Sequence, residues 1–493
     1  MSAYKQLEKL FTQLSHLEHL SAIANWDEAA MMPEGGGEAR AAALASLHRI
    51  SHEKLSDKKV GELLKQAKNE TLDSPWQTAN LKWMQRFYEN ANCLPADLVE
   101  ALSNQRSICE QVWRVARAKN DWQSFLPHLE NVVKLTRESA QIRSHYFGVA
   151  PYDLLIDEFS PGLNSKIIDP IFSRLKSLLP ALIEKIITKQ KTLKITEPKG
   201  PFSIAQQKEL GLALMRAIGF DFNHGRLDIS HHPFCGGVPQ DVRITTRYND
   251  HEFVSSAMGT CHETGHARYE QNLPKEWISQ PVGRIHSMAL HESQSLLIEM
   301  QACRSREFMQ FMSLQTKNYF GEQPGLNSEN LYHLYTRVQK GLIRVDADEV
   351  TYPLHVILRY EIEKELISGA IETRDLPDAW NQKMAEYFDL DTRGDFKNGV
   401  MQDVHWPSGA FGYFPAYTIG SLIAAQLFFS AKKTNPNLLS ELASGNFVAL
   451  YNWLIPNFQS HASSLDFTEL MIAATGEELN PDYFLKHVET RYL

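Results

Sequence analysis

GRLDISHHPFCGGVPQDVRITTRY, residues 225–248, is the one long stretch of this chain that does not read as helix. Its pieces LDIS and DVRITTRY are β-compatible and flank a turn containing Gly236, Gly237 and Pro239, which predicts a small hairpin or a three-stranded sheet. Outward from it, apolar residues recur at helical spacing almost everywhere. Leu7, Leu10, Phe11, Leu14, Leu17 and Leu20 set the pattern in the first segment, Tyr4 to Ile23. The pattern breaks at Pro33 and at Gly35, Gly36 and Gly37, then restarts at Glu38, which predicts helix, solvated loop and helix. Long periodic stretches follow at about 76–117, 121–147, 164–191 and 203–218, with Pro151, Pro161, Gly162, Pro198 and Gly200 as separators. None of the separators reads as a linker, and there is no internal repeat and no coiled-coil heptad run. A length of 493 residues would allow about three domains. The pattern instead predicts a mainly α fold: one body over 1–493 with a single small β-sheet.

Composition narrows the function. Fifty Lys and Arg against 59 Asp and Glu give a net charge of −9, so there is no electrostatic attraction for a nucleic-acid backbone or an anionic membrane. The most apolar segment, Ile419 to Phe429, is too short for the ~20 residues that span a bilayer, and is expected to be a buried helix. Five cysteines, Cys93, Cys109, Cys235, Cys261 and Cys303, are odd in number and contain no CxxC pair, which points to a reducing compartment rather than a disulfide framework. The N-terminus alternates polar and apolar residues from the start and lacks a signal-peptide pattern. A cytoplasmic protein is the expectation.

Directly after the sheet comes SSAMGTCHETGHARYEQNLP, residues 255–274, in which His262, Glu263 and His266 form HExxH. On a helix, positions four apart differ by about 40° around the axis and ~6 Å along it, so both imidazoles can reach one ion at ~2.0–2.1 Å. Glu263, one position from the first histidine, lies beside that ion as a base toward water. Composition alone would produce one HExxH in a chain of this length with a frequency on the order of 0.05. Two histidines on a solvated helix face are the plain alternative. A catalytic zinc takes three protein ligands. The residues after His266 lack the Gly and third His of the metzincin pattern, so a carboxylate from another helix is the expected third ligand. HSMALHESQSLLIEMQACRSREF, residues 286–308, is a helix carrying Glu292 and Glu299, seven apart on one face, and spacing does not separate them.

These segments belong to a longer set. HPF (His232–Phe234), DVRIT (Asp241–Thr245), HETGH (His262–His266), HESQS (His291–Ser295), IRVDADE (Ile343–Glu349) and GVMQDVHW (Gly399–Trp406) occur in the order seen in the carboxypeptidase Taq family of zinc metallocarboxypeptidases. WDEAAMMPEGGGEAR (Trp26–Arg40) and PYDLLIDEFSPG (Pro151–Gly162) resemble its N-terminal half, so the likeness spans nearly the whole chain. The resemblance implies a helical ellipsoid with a deep substrate groove, like neurolysin and angiotensin-converting enzyme. The N-terminal helical part, about 1–200, would form one wall, and 201–493 would carry the metal. It implies His262, His266 and Glu292 as metal ligands, Glu263 as general base, and a homodimer. Zinc is the expected metal, with cobalt or manganese as possible substitutes. The implied activity is release of single residues from the free C-terminus of peptides, with broad specificity. An endo-oligopeptidase or dipeptidyl carboxypeptidase with the same zinc machinery is the alternative.

Each remaining block has a chemical task. A carboxypeptidase must bind an α-carboxylate, and a guanidinium does so by bidentate, charge-assisted bonds. The family's IRxxAD block supplies Arg344, with pairing to Asp346 or Asp348 as its structural alternative. The oxyanion of peptide hydrolysis needs a donor. In SGAFGYFPAYTIG, residues 408–420, Tyr413 and Tyr417 are both candidates. His405 is expected to donate to substrate or to a nearby carboxylate. His232, held extended by Pro233, is a candidate to face the groove. Asp241 and Arg243, two apart on a strand, point the same way and are expected to brace the sheet edge against the active-site helix. Cys261 points away from the ligands and is expected to be a buried thiol.

Overall fold

The apolar spacing that predicts helix is met by helix along most of the molecule. The computed structural model describes residues 1–493 and contains twenty α-helices and one three-stranded sheet. The expected helices at 121–147, 164–191 and 203–218 form as Trp122–Phe147, Ser165–Gln190 and Ile204–Ile218. Asp121, Asn164 and Ser203 cap them, each side chain accepting from the backbone N–H three residues on. The stretch 76–117 is two helices, Pro75–Asn92 and Ala96–Ala118, because Pro95 sits extended at φ −60°, ψ 142° and has no N–H to continue the first. The loop expected at 33–37 is mostly a tight 3₁₀ turn, Glu34–Gly36, and the next helix already begins at Gly37. Pro151 starts a helix, Pro151–Phe159, where its fixed φ suits the first turn and its missing N–H leaves no gap.

The sheet consists of β1 (Gly225–Ile229), β2 (Cys235–Val238) and β3 (Asp241–Thr246). β3 is central, with β1 parallel on one side and β2 antiparallel on the other; Ile244 is in register with both Leu227 and Cys235. Strand alternation turns Val242 and Ile244 inward, onto Phe220, Met215 and Ala267 of the HExxH helix. Asp241 and Arg243 therefore face the other way. They pair with each other at 2.7 and 3.0 Å, and the Arg243 guanidinium lies 4.5 Å from the Trp26 ring centroid. The pair ties the sheet to the first helix, Ala3–Ala30, and not to the active-site helix as the sequence had suggested.

One apolar core of 86 buried residues runs from Cys109 to Tyr492, and a smaller core of ten holds the first helices together, from Ala3 to Met84. The apolar segment 419–429 lies within the helix Pro415–Thr434, most of which is buried. This helix and the HExxH helix, Val254–Gln271, enclose the glutamate-bearing helix Met288–Leu296 between them.

Candidate active site

The HExxH helix crosses Met288–Leu296 at very short range. A Cβ on Gly265 would fall 2.7 Å from both the Gln294 carbonyl oxygen and the Ser295 Cα, and one on Gly420 would fall 3.0 Å from the Glu292 Cγ. At Gly265 only glycine lets the backbones approach this closely, while at Gly420 an added methyl would press on the Glu292 side chain, and the approach brings Glu292 to the histidines. His262 Nε2 and His266 Nε2 lie 3.9 and 3.3 Å from Glu292 Oε2. The three side chains offer ligating atoms that all fall within 4.8 Å of one another.

The far nitrogens of both rings are held as well. His262 Nδ1 donates to Glu299 Oε2 at 2.9 Å, and His266 Nδ1 donates to the His291 carbonyl at 3.1 Å. Both rings are thereby held at Nδ1 with Nε2 turned toward Glu292, the arrangement that orients metal-binding histidines. Glu299 is in turn fixed by Arg304 at 2.5 Å. The segment Leu297–Cys303 that carries it is a π-helix continuing Met288–Leu296. The two glutamates that spacing could not separate thus take different places: Glu292 beside both Nε2 atoms, Glu299 behind His262.

Burial and neighbouring charge oppose one another throughout this cluster. Burial alone would lower the His262 pKa, yet Glu292 and Glu299 push it up to about 10. Burial would raise Glu292, yet His262 and His266 hold it down at about 2. Burial drives His266 down to about 3, aided by the neighbouring His291, and raises Glu263 to about 7 against the pull of His262. Two neutral-capable imidazoles and a carboxylate, with further carboxylates around them, form a donor set that a divalent cation satisfies.

A second buried cluster is built from segments distant in sequence. Arg344, 5% exposed, donates through Nε and NH2 to Asp403 Oδ1 at 2.9 and 2.8 Å, and through NH1 to the Tyr352 hydroxyl at 2.8 Å. Arg359, fully buried, donates from Nε to Asp403 Oδ2 at 2.7 Å. Arg344 therefore pairs with Asp403, and not with Asp346 or Asp348. No other carboxylate lies within 4.0 Å of either guanidinium, so two cations share one anion. Three of the five N–H groups of Arg344 are used, leaving two.

The aromatic loop closes this cluster. The Arg344 guanidinium carbon lies 4.8 Å from the Tyr417 ring centroid and 5.6 Å from that of Phe414. His405 Nε2 is 3.0 Å from the Tyr417 hydroxyl, and burial together with Arg344 lowers the His405 pKa to about 3, so the ring is neutral. Tyr413 stands 5.2 Å from Tyr417, centroid to centroid, and Phe159 packs edge-on against it. Burial raises both phenol pKa values, so both hydroxyls keep their protons. Glu363, fully buried, anchors the loop by accepting from Trp406 Nε1, the Gly412 N–H and the Tyr152 hydroxyl, each at 2.8 Å. His232 is exposed, packs against His231 and makes no side-chain hydrogen bond to either cluster. Cys261 is a buried free thiol, as expected. Asp403, Arg359, Tyr352 and Glu363 carry no spacing signal, because each acquires its partner only through tertiary contact.

A mainly helical body with one small sheet, in which an HExxH helix crosses a second helix bearing a buried glutamate, defines a metallopeptidase. The chain belongs to the carboxypeptidase Taq (M32) metallopeptidase family, whose pattern it matches over residues 6–492. It is 36% identical to thermostable carboxypeptidase 1 of Thermus thermophilus, over 100% of this chain and 98% of that protein. Its structure superposes on metallocarboxypeptidase 1 of Trypanosoma cruzi with a TM-score of 0.98 and 42% identity, covering 99% of each chain. It superposes on the M32 carboxypeptidase of Deinococcus radiodurans with a TM-score of 0.93 and 32% identity, over 99% and 98% of the two chains. The protein is a metallocarboxypeptidase. No helix is long and apolar enough to cross a membrane.

Proposed function

We propose a zinc carboxypeptidase that removes single residues from peptides with a free C-terminus, with broad side-chain tolerance. His262 Nε2, His266 Nε2 and Glu292 would hold the metal, and the convergence of these three ligating atoms within 4.8 Å of one another supports a divalent cation there. When bound, the ion supplies Lewis acidity and acidifies water. Glu263 is the general base: a buried carboxyl with a pKa near 7 can take a proton from the attacking water and return it to the leaving amine.

The observation that carries the exopeptidase reading is the charge of the second cluster. Arg344 and Arg359 share Asp403 as the one carboxylate within 4.0 Å, and His405 is neutral, so the pocket around Arg344 is cationic and suited to a substrate carboxylate. Arg344, with two N–H groups free, receives it. One of Tyr413 and Tyr417 is the donor to the developing oxyanion. His405 Nδ1 has no acceptor, so its proton belongs on Nε2, which then donates to the Tyr417 oxygen and frees the Tyr417 proton. No step is assigned to His232.

Metal analysis of purified protein, combined with mass spectrometry of a digested peptide, tests the proposal. One zinc per chain and a ladder shortened by single C-terminal residues are expected, and cleavage of an amidated peptide at the same rate would refute it. We further propose that 1–493 acts as one catalytic body, since a single large core crosses position 200. A cytoplasmic homodimer is the accompanying proposal: five free cysteines suit a reducing compartment, and light scattering should give twice 56.2 kDa.

A further inference from the structure

We propose that Tyr352 is a second substrate-contacting residue of the carboxylate site, donating its phenolic proton to the substrate's terminal carboxylate alongside Arg344. The inference rests on the reading of Arg344 given above and extends it.

Tyr352 is the first residue of the helix Tyr352–Ser368, eight positions after Arg344, and its side chain folds back onto the guanidinium. Its oxygen accepts from Arg344 NH1 at 2.8 Å, and the hydroxyl donates to nothing in the protein. A phenol can accept and donate at once, so the proton is left pointing to a ligand. Tyr352 and Tyr417 flank the guanidinium, which lies 5.8 Å from the first ring centroid and 4.8 Å from the second. The two rings stand nearly perpendicular, 6.0 Å apart. A carboxylate oxygen that accepts from the remaining N–H groups of Arg344 therefore enters between donors already in contact, and comes within reach of the Tyr352 O–H. The contact with Arg344 polarises the phenol and strengthens its donation, as hydrogen bonds in a chain do in a low-dielectric site. Tyr352 also helps to enclose the guanidinium, so phenylalanine at this position keeps the shape and removes only the hydroxyl.

A bond made to the carboxylate exists equally in the bound substrate and in the transition state, so its loss raises KM and leaves kcat in place. A hydroxyl that served the oxyanion would act in the opposite sense. The test compares wild type, Tyr352→Phe and Arg344→Ala on one blocked dipeptide with a free carboxylate and on its amide, with product inhibition by free phenylalanine as a separate reading of binding. For Tyr352→Phe we expect KM for the free acid and the inhibition constant of phenylalanine each to rise about tenfold, with kcat within about twofold and the amide rate unchanged. A fall in kcat at constant KM, or no change in either binding constant, overturns the inference. Arg344→Ala separates the two levels. If it leaves the preference for acid over amide intact, the carboxylate reading itself fails; if it abolishes that preference while Tyr352→Phe behaves as wild type, only the role of Tyr352 is lost. Circular dichroism and thermal melts of both variants confirm that the fold is retained.

Discussion

Replacing Gly265 by alanine adds one methyl group at the crossing that brings together His262, His266 and Glu292, the candidate metal site. The added Cβ would sit 2.7 Å from the Gln294 carbonyl oxygen and 2.7 Å from the Ser295 Cα. Carbon contacts are comfortable at roughly 3.5–4.0 Å, so the two helices must separate by on the order of 1 Å, and both obstacles are backbone atoms with no rotamer to change. Alanine in the helix interior gains up to about 1 kcal/mol of helix propensity over glycine, whereas overpacking costs about 1–3 kcal/mol. The clash wins. Its larger consequence is geometric. Glu292 rides on the displaced helix, while ligand distances in a metal site are held within about 0.2 Å. A shift several times that tolerance should weaken metal affinity by at least about 100-fold. Dialysis against graded chelator with metal analysis, alongside melting curves of metal-free and metal-loaded protein, measures both effects. Gly265→Ala should melt lower than wild type without metal and gain much less on loading, by the usual linkage of binding to stability. Wild-type metal affinity in this variant would show that the close crossing does not set the site's geometry.

Glu263→Gln should lower turnover by about 10²-fold or more with metal content and melting temperature nearly unchanged, as judged by steady-state kinetics and metal analysis. Glu292→Ala should lose the metal, whereas Glu299→Ala, which removes only the support behind His262, should retain it with about 10–100-fold weaker affinity in the chelator titration. Arg344→Ala should reduce kcat/KM on free-acid peptides by on the order of 10² to 10³ and leave the slow cleavage of amidated ones unaltered, which paired assays on acid and amide would read. Glu349 is buried against His487, Arg491 and Tyr492. Burial would raise its pKa, but His487 and Arg491 hold it down at about 2. A depressed carboxylate stabilises the fold fully above its unfolded value near 4.3 and loses that contribution as pH falls toward 2, here roughly 3 kcal/mol. Glu349→Gln should therefore flatten the acid limb of stability between about pH 5 and 2, seen in denaturant melts at each pH.

How far the sequence reached can be judged from particular residues. His262 and His266 were legible as a pair because four positions on a helix is a local fact, fixed by 3.6 residues per turn. The capped helices at 121–147, 164–191 and 203–218 were legible for the same reason, as was the buried helix around 419–429. Pro95, passed over in reading 76–117 as one stretch, divides it because a missing N–H acts on its own turn. Asp241 and Arg243 were correctly placed on one face of a strand, but which face looks inward depends on what the strand packs against, and Val242 and Ile244 took that side.

Glu292 and Glu299 mark the boundary between what the chain states locally and what the fold decides. Seven residues apart on one helix face, they are equivalent until another helix is laid across them. The crossing at Gly265, with Gly420 beneath, puts one carboxylate beside the two Nε2 atoms and leaves the other to hold a ring from behind. Arg344 gives the same lesson at longer range, since its partner Asp403 lies 59 residues away and shares its charge with Arg359 from a third segment. Periodicity and spacing are properties of one element and can be read from one stretch of chain. Which charges are balanced, and which is left for a substrate, is a property of contacts between elements, and burial gives those contacts their strength only once the elements are packed.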